Sequence, residues 1–380
     1  MHILAFFFHF PPMSGGGAVV SFEIANTLVS LGHKVTVLVP DVEWRGKKYL
    51  PAMHPNLSVV RVETPSRTNL KIAARRCKGN LSKKGVEIGK KNAIDFIFTI
   101  FHPFHTVPNA AILCAKKLGM PVIVKIDDAV YEKSFGLKSL QRRMEKVYSS
   151  KALQNANNIL VPNEATAKIV STSYCVKMEK ISIVPNGIDL GLFQIKDAKR
   201  EKIVVFSGVM YYHRGLDILL DAIPEVIKDI PDAKFVLLGE GPEMKKLQDK
   251  VKEMKLDSYV EFKGWVERNL IPRYLIQASL GIGPLKLTTV TENALPIKVL
   301  EYMAASLPII ARKGTLPKDV LMDNENGYFI DNASDLAKKI TKLLNDPNLV
   351  KKMGDSSFNM VQRFSWRNIL NIIFEIYKTI

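Results

Sequence analysis

Short apolar runs alternate with helix-period segments along this 380-residue chain, and the alternation happens twice. In the first half "HILAFFF", "KVTVLVP", "LSVVRV", "DFIFTIF", "PVIVKI", "NNILVP" and "ISIVP" have strand length and are rich in β-branched and aromatic residues. Between them lie segments with apolar residues at helical spacing, such as "VVSFEIANTLVSLG", stopped by Gly32, and "NAAILCAKKLG", stopped by Gly119. Runs that are apolar at nearly every position suit parallel strands covered on both faces. Their alternation with helices predicts an α/β fold of the doubly wound kind. After "NGIDLGLFQIKDAKR" the pattern, though not the sequence, restarts with "KIVVFSG", "AKFVLLG", "YVEFKG", "SLGIGP" and "LPIIAR". The length also exceeds one ordinary core. Two facing Rossmann-like domains are therefore expected, residues 1–190 and 191–365, with the boundary near the turn-forming Asn186-Gly187. The last segment carries Ile369, Ile373, Ile376 and Ile380 in one stripe, an amphipathic helix that needs a partner surface. Open sheets of this kind bind ligands beyond the carboxyl ends of their strands, so a cleft between the domains is the expected site.

A net charge of +17 is the strongest bulk signal, and it is uneven. Arg67–Lys91 holds nine Lys/Arg and one acid, Glu87; "EKSFGLKSLQRRMEKVYSSK" adds a second basic stretch. Such patches attract polyanions, either nucleic acid or an anionic membrane surface, unless they are simply a solvated face. No basic-aromatic interleaving or recognition motif accompanies the charge, so no specific nucleic acid is expected. No apolar run reaches the roughly 20 residues a spanning helix needs. The opening "MHILAFFFHFPP" lacks a basic start and a cleavage site and is expected to be a buried strand. Three scattered cysteines, Cys77, Cys114 and Cys175, give neither a disulfide framework nor metal-ligand spacing. A cytoplasmic setting is expected, either free or at the membrane face.

Two stretches could carry chemistry. "PPMSGGGAVVSFEIA" places Gly15, Gly16 and Gly17 between the first strand and first helix, where backbone amides can approach an anion. Val20 breaks the dinucleotide fingerprint, no P-loop lysine follows, and a plain tight turn fits as well. In "TENALPIKVLEYMAASLPII", Pro296 suits the first helical position, so Lys298 lies in the first turn, where a cation is unfavourable. A bound anion would reverse that sign. Glu301, at i+3, shares the same side and could accept hydrogen bonds from hydroxyls. An anion beside a polyol describes a nucleotide sugar; a surface Lys-Glu pair is the plainer reading.

Arg214 before Gly215, Gly208 in "FSG", and Gly239, Glu240 and Gly241 in "LLGEGPE" add basic or glycine-rich strand-to-helix junctions along one edge. With "SGGGAVVSFEIANTLVSLGHKVTVL", "ISIVPNGIDLGLF", "HRGLDILLDAI", "VEFKGWV", "PIKVLEYMAASLPIIA", "NGYFI" and "FSW" in that order, the chain resembles the family 4 (group 1) retaining glycosyltransferases of GT-B fold. The resemblance implies that residues 366–380 cross back onto the first domain. It implies an acceptor-binding first domain and a donor-binding second one. Gly16 and Gly17 would border the donor phosphates and sugar, and Arg214 would clamp the diphosphate. Glu240 and Gly241 would lie beside the nucleotide. Asn293, Ala294, Leu295 and Lys298 would line the phosphates and sugar, and Glu301 would hold the ribose hydroxyls. Val209 stands where the family often has arginine, and Lys298 is expected to compensate. The first glutamate of the family's motif falls on Asn293. Asp127 stands where histidine is usual, and Asp128 keeps the acid. Asp127 is a catalytic candidate, with Asp128 and His102 on the acceptor side; His9 and His105 lie near the same strand ends.

The implied reaction moves a hexose-like sugar from a nucleoside-diphosphate sugar to a hydroxyl acceptor, retaining the anomeric configuration, with no cofactor and no metal. The acceptor is expected to be a lipid-linked or other saccharide precursor, reached at an anionic membrane through Arg67–Lys91. A nucleotide-sugar epimerase of the same fold, a basic nucleic-acid-binding protein and a nicotinamide oxidoreductase are the alternative classes.

Overall fold

A computed structural model describes residues 1–102, 105–127, 146–193, 200–288, 291–292 and 294–380. The described chain forms two compact units, Met1–Asn186 with Trp366–Ile380, and Gly187–Ser365.

The first unit holds a seven-stranded sheet in the order β3-β2-β1-β4-β5-β6-β7. The strands are β1 His2–Phe6, β2 Lys34–Pro40, β3 Ser58–Val62, β4 Phe96–Phe101, β5 Val122–Ile126, β6 Asn158–Val161 and β7 Ile181–Ile183. Every adjacent pair is parallel. All residues of β1, β4 and β5 are buried, which explains why these stretches read as nearly continuous apolar runs, interrupted by His2, Thr99 and Lys125. Helices Gly16–Ser30, Leu70–Arg76, Lys78–Lys91, Val107–Leu118 and Glu164–Tyr174 flank them. The basic helix Lys78–Lys91 turns Leu81, Ser82 and Gly85 inward, and a methyl on Gly85 would sit 2.5 Å from the Phe6 ring. That close seat leaves Lys83, Lys90 and Lys91 exposed, together with Lys71, Arg75 and Arg76 on the preceding helix.

The final helix, Trp366–Lys378, belongs to this unit and packs on the Gly16–Ser30 helix. Its buried face is Trp366, Ile369, Leu370, Ile373 and Phe374. The sequence stripe is therefore corrected at its end: Ile380 is exposed, and aromatic residues replace it in the contact. Trp366 donates its indole N–H to the buried carboxylate of Glu23, and Tyr377 donates to the Asp95 carbonyl at 3.4 Å.

The second unit holds six parallel strands in the order β10-β9-β8-β11-β12-β13. They are β8 Ile203–Ser207, β9 Lys234–Leu238, β10 Val260–Gly264, β11 Leu280–Ile282, β12 Ile309–Arg312 and β13 Gly327–Ile330. Helices Leu216–Asp229, Met244–Glu253, Ile271–Gln277, Ile297–Ala304, Ala333–Asn345 and Pro347–Val361 cover it. Arg200 ties its base by donating to the carbonyls of Ala278, Ala305 and Ser306 at 2.7–2.9 Å.

In each unit the strand order reverses once, at β1/β4 and at β8/β11. Chain leaving two neighbouring strands in opposite directions opens a crevice at their carboxyl ends, and that is where an open α/β sheet holds a ligand.

Candidate functional site

Gly208, Arg214 and Lys298, three of the residues the sequence singled out in the second unit, lie at the β8/β11 crevice. Gly208 follows β8 with φ 128°, a backbone conformation suited to glycine, and its N–H donates to the Leu238 carbonyl at 2.8 Å. The chain then turns through Tyr212–Arg214, a 3-10 turn ended by Gly215. The Arg214 carbonyl accepts from Leu285 N–H at 3.0 Å, closing the crevice between the chain leaving β8 and that leaving β11.

The Ile297–Ala304 helix supplies the other wall. Pro296 is its N-cap rather than its first residue, with φ −67° and ψ 139°, and Lys298 lies in the first turn as expected. Tyr302, one turn on, is fully buried, and its hydroxyl accepts from Ser207 N–H at 2.8 Å. That bond fixes the helix against the end of β8 and so fixes Lys298. Lys298 is only 8% exposed. Its Nζ stands 3.7 Å over the Phe206 ring, and a methyl on Gly208 would meet it at 3.0 Å. It has no hydrogen-bond partner among the described residues. Burial, with Arg214 nearby, lowers its pKa well below the ordinary lysine value, partly offset by Glu301. Burial likewise lowers His213 to about 4, helped by Arg214 and Lys298. Arg214 and Glu301 thus both lie near enough to Lys298 to influence its charge.

Glu301 is buried and carries an ion pair the sequence did not reveal, with Arg268 Nη1 2.5 Å from Oε1. Lys286 is a second unforeseen cation; it pairs with Asp217 at 2.7 Å and lies 3.7 Å over the Tyr212 ring. Glu240 is exposed and accepts from Trp265 N–H at 3.3 Å. Gly241 lies against the backbone of Met210, where a methyl would come within 2.6 Å. The Leu295 side chain is half-buried against the core. Asn293 lies outside the described residues.

In the first unit, three histidines meet at the β1/β4 crevice, with ring centroids 4.6 Å apart for His9–His102, 5.1 Å for His9–His105 and 5.5 Å for His102–His105. Gly16 opens the first helix, and Gly17 faces this cluster; a methyl there would lie 3.2 Å from His9 Nδ1 and 3.3 Å from His102 Cε1. Burial lowers His9 to about 3 and His105 to about 2, with the neighbouring imidazoles adding to it. These rings are neutral, each offering one donor and one acceptor. The sequence placed each histidine at a strand end, but their convergence depends on β1 and β4 being neighbours. Among the described residues no His/Cys/Asp/Glu group is arranged to hold a metal ion.

Asp127, just past β5, forms an ion pair with Lys125, whose Nζ is 2.7 Å away and fully buried. The pair lies off the hydrogen-bond direction at Oδ1. Asp127 therefore pairs within its own strand end, and Asp128 lies outside the described residues.

Comparison with known proteins divides the chain between two sequence models, Glycosyltransferase Family 4 over residues 14–192 and Glycosyl transferases group 1 over residues 192–360. An uncharacterized glycosyltransferase of Methanocaldococcus jannaschii is 26% identical over 306 residues, 79% of each chain. The phosphatidylinositol N-acetylglucosaminyltransferase gpi3 subunit of Schizosaccharomyces pombe is 23% identical over 99% of this chain and 79% of its own. Anabaena Alr3699/HepE, solved with UDP and glucose, superposes with a TM-score of 0.74 over the whole of both chains at 15% identity, which shows a shared fold.

Proposed function

This chain belongs to the family 4, or group 1, glycosyltransferases, and from that premise we propose that it transfers a sugar from a nucleoside-diphosphate sugar to a hydroxyl acceptor with retention of configuration. The observation that carries the donor half is Lys298, a buried ammonium in the first turn of a helix with no hydrogen-bond partner among the described residues. An unpaired buried cation is costly. A pyrophosphate at the helix N-terminus would supply its counter-charge, with Arg214 beside it and the amides near Ala294–Lys298 as further donors. Glu301 is assigned to the ribose hydroxyls.

In this reading the protein stabilises the charge that develops on the departing phosphate, through Arg214, Lys298 and helix amides. The Asp127 carboxylate is already engaged by Lys125. The acceptor's proton is therefore assigned to the departing phosphate oxygen, and no metal is invoked. The acceptor is assigned to the first unit, near Gly17, His102 and the neutral imidazoles of His9 and His105. Exposed Lys71, Arg75, Arg76, Lys83, Lys90 and Lys91 favour delivery from an anionic membrane. The named action of the S. pombe relative on phosphatidylinositol agrees with a lipid-borne acceptor. Among the described residues no helix is long and apolar enough to cross a membrane.

A thermal-shift screen against UDP, GDP, ADP and their sugars tests the donor, UDP first because it is bound in HepE. Stabilisation by one nucleoside diphosphate is expected; no response to any of them overturns the reading. Product analysis without acceptor separates a transferase from an epimerase. Co-sedimentation with anionic but not neutral vesicles, lost at high salt, is expected if the basic face meets a membrane.

A further inference from the structure

Lys298 and Glu301 sit three residues apart on one helix face, close enough to pair. Such a pair would neutralise the cation that the donor site needs. They do not pair: Lys298 Nζ lies over Phe206 against Gly208, while Glu301 Oε1 takes Arg268 Nη1. Arg268 opens the short turn Arg268–Leu270 after β10, on the far side of the sheet order from β11. Both partners are buried, with side chains 14% and 5% exposed, so the carboxylate is held by a partner rather than by water. Arg214, Lys298 and Arg268 gather about the single carboxylate of Glu301, a basic set suited to the pyrophosphate of a nucleoside-diphosphate sugar.

We propose that Arg268 is a positioning residue for the donor. By holding Glu301 through Oε1, it keeps that carboxylate off Lys298 and leaves the ammonium for pyrophosphate. The inference rests on the donor reading above and adds a residue to it. Without Arg268, the nearest cation for a buried carboxylate on this helix face is Lys298, and the site loses its anion grip although Lys298 and Arg214 are untouched.

A double-mutant cycle tests this with the full chain and two titrants, inorganic pyrophosphate and UDP, measured by calorimetry. Pyrophosphate has no ribose, so a residue that acts only on ribose leaves its binding unchanged. Arg268→Ala is expected to weaken pyrophosphate binding about tenfold, roughly 1.4 kcal/mol. With Glu301→Gln already in place, the same change is expected to cost no more than about threefold, because no carboxylate remains to capture Lys298. Arg268→Lys, which keeps a cation beside Glu301, is expected to recover most of the affinity. It also serves as the second variant should Arg268→Ala fail to fold. Equal losses in both backgrounds, or no loss in the first, overturn the inference while leaving the donor site standing. Failure of the wild type to bind either titrant overturns the donor reading and the inference with it.

Discussion

Replacing Lys298 with methionine should separate stability from binding. Methionine fills a similar volume without charge, so the change removes a buried cation while leaving little cavity. The ammonium gives up its water for one aromatic face, worth about 0.5–2 kcal/mol, against a burial penalty of several kcal/mol. A net gain of about 1–3 kcal/mol in the stability of the second unit is expected. For a domain of this size that raises Tm by about 2–4 °C per kcal/mol. Binding should move the other way. Loss of one charge-assisted contact to pyrophosphate costs about 1.5–3 kcal/mol, or roughly 10- to 150-fold in affinity. The pH dependence supplies a further check. Below its lowered pKa, Lys298 keeps its proton in both states and the full burial penalty applies. Between that value and the ordinary 10.5, the unfolded chain binds the extra proton, so wild-type stability rises with pH. The advantage of Lys298→Met should therefore shrink as pH rises toward 10.5. Calorimetric scans with and without UDP, across pH, read both effects. A variant with lowered Tm and unchanged nucleotide binding would refute the reasoning and make Lys298 a packing residue.

Other perturbations have outcomes fixed by the same geometry. Gly208→Ala strains a backbone at φ 128° and pushes a methyl to within 3.0 Å of Lys298 Nζ; a loss of about 1–2 kcal/mol in stability, together with weaker pyrophosphate binding, is expected by denaturant titration and calorimetry. Trp366→Phe leaves the buried Glu23 carboxylate without its indole donor, and about 1–3 kcal/mol of first-unit stability should be lost in urea unfolding. His9 and His105, lowered to about 3 and about 2, stay neutral when folded but gain protons near 6.5 when unfolded. Stability should thus fall as pH drops from 7 to 5, by about 2 kcal/mol per histidine; His9→Phe and His105→Phe should each flatten that fall, and an unchanged slope would contradict the burial of these rings.

How much of this was legible in the sequence follows from the range of each signal. β1, β4 and β5 announced themselves because parallel strands buried on both faces are apolar at nearly every position. Lys298 was legible because its location in a helix's first turn follows from Pro296 nearby, a matter of local sequence. Arg268 was not: it pairs with Glu301 across 33 residues of chain, through the neighbouring placement of β10, β9 and β8. The histidine cluster fell between these cases. Each ring could be placed at a strand end, but β4 lies next to β1 only because the sheet order reverses there. Glu23 reads as the one charged residue of the Gly16–Ser30 helix, and its Trp366 partner, distant in sequence, helps explain its burial. The end of the final helix was misjudged for a related reason: a stripe of isoleucines shows which face is apolar, not where the partner surface stops.

Hydrogen–deuterium exchange on the full chain, with and without saturating UDP, tests the central claim most directly. If the carboxyl edge of the second unit grips pyrophosphate, amides in 207–215 and 294–301 should exchange more slowly with nucleotide bound, and at UDP just saturating the wild type Lys298→Met should lose half or more of that protection. Protection confined to other segments, or protection of these two that persists undiminished in Lys298→Met, would contradict the account.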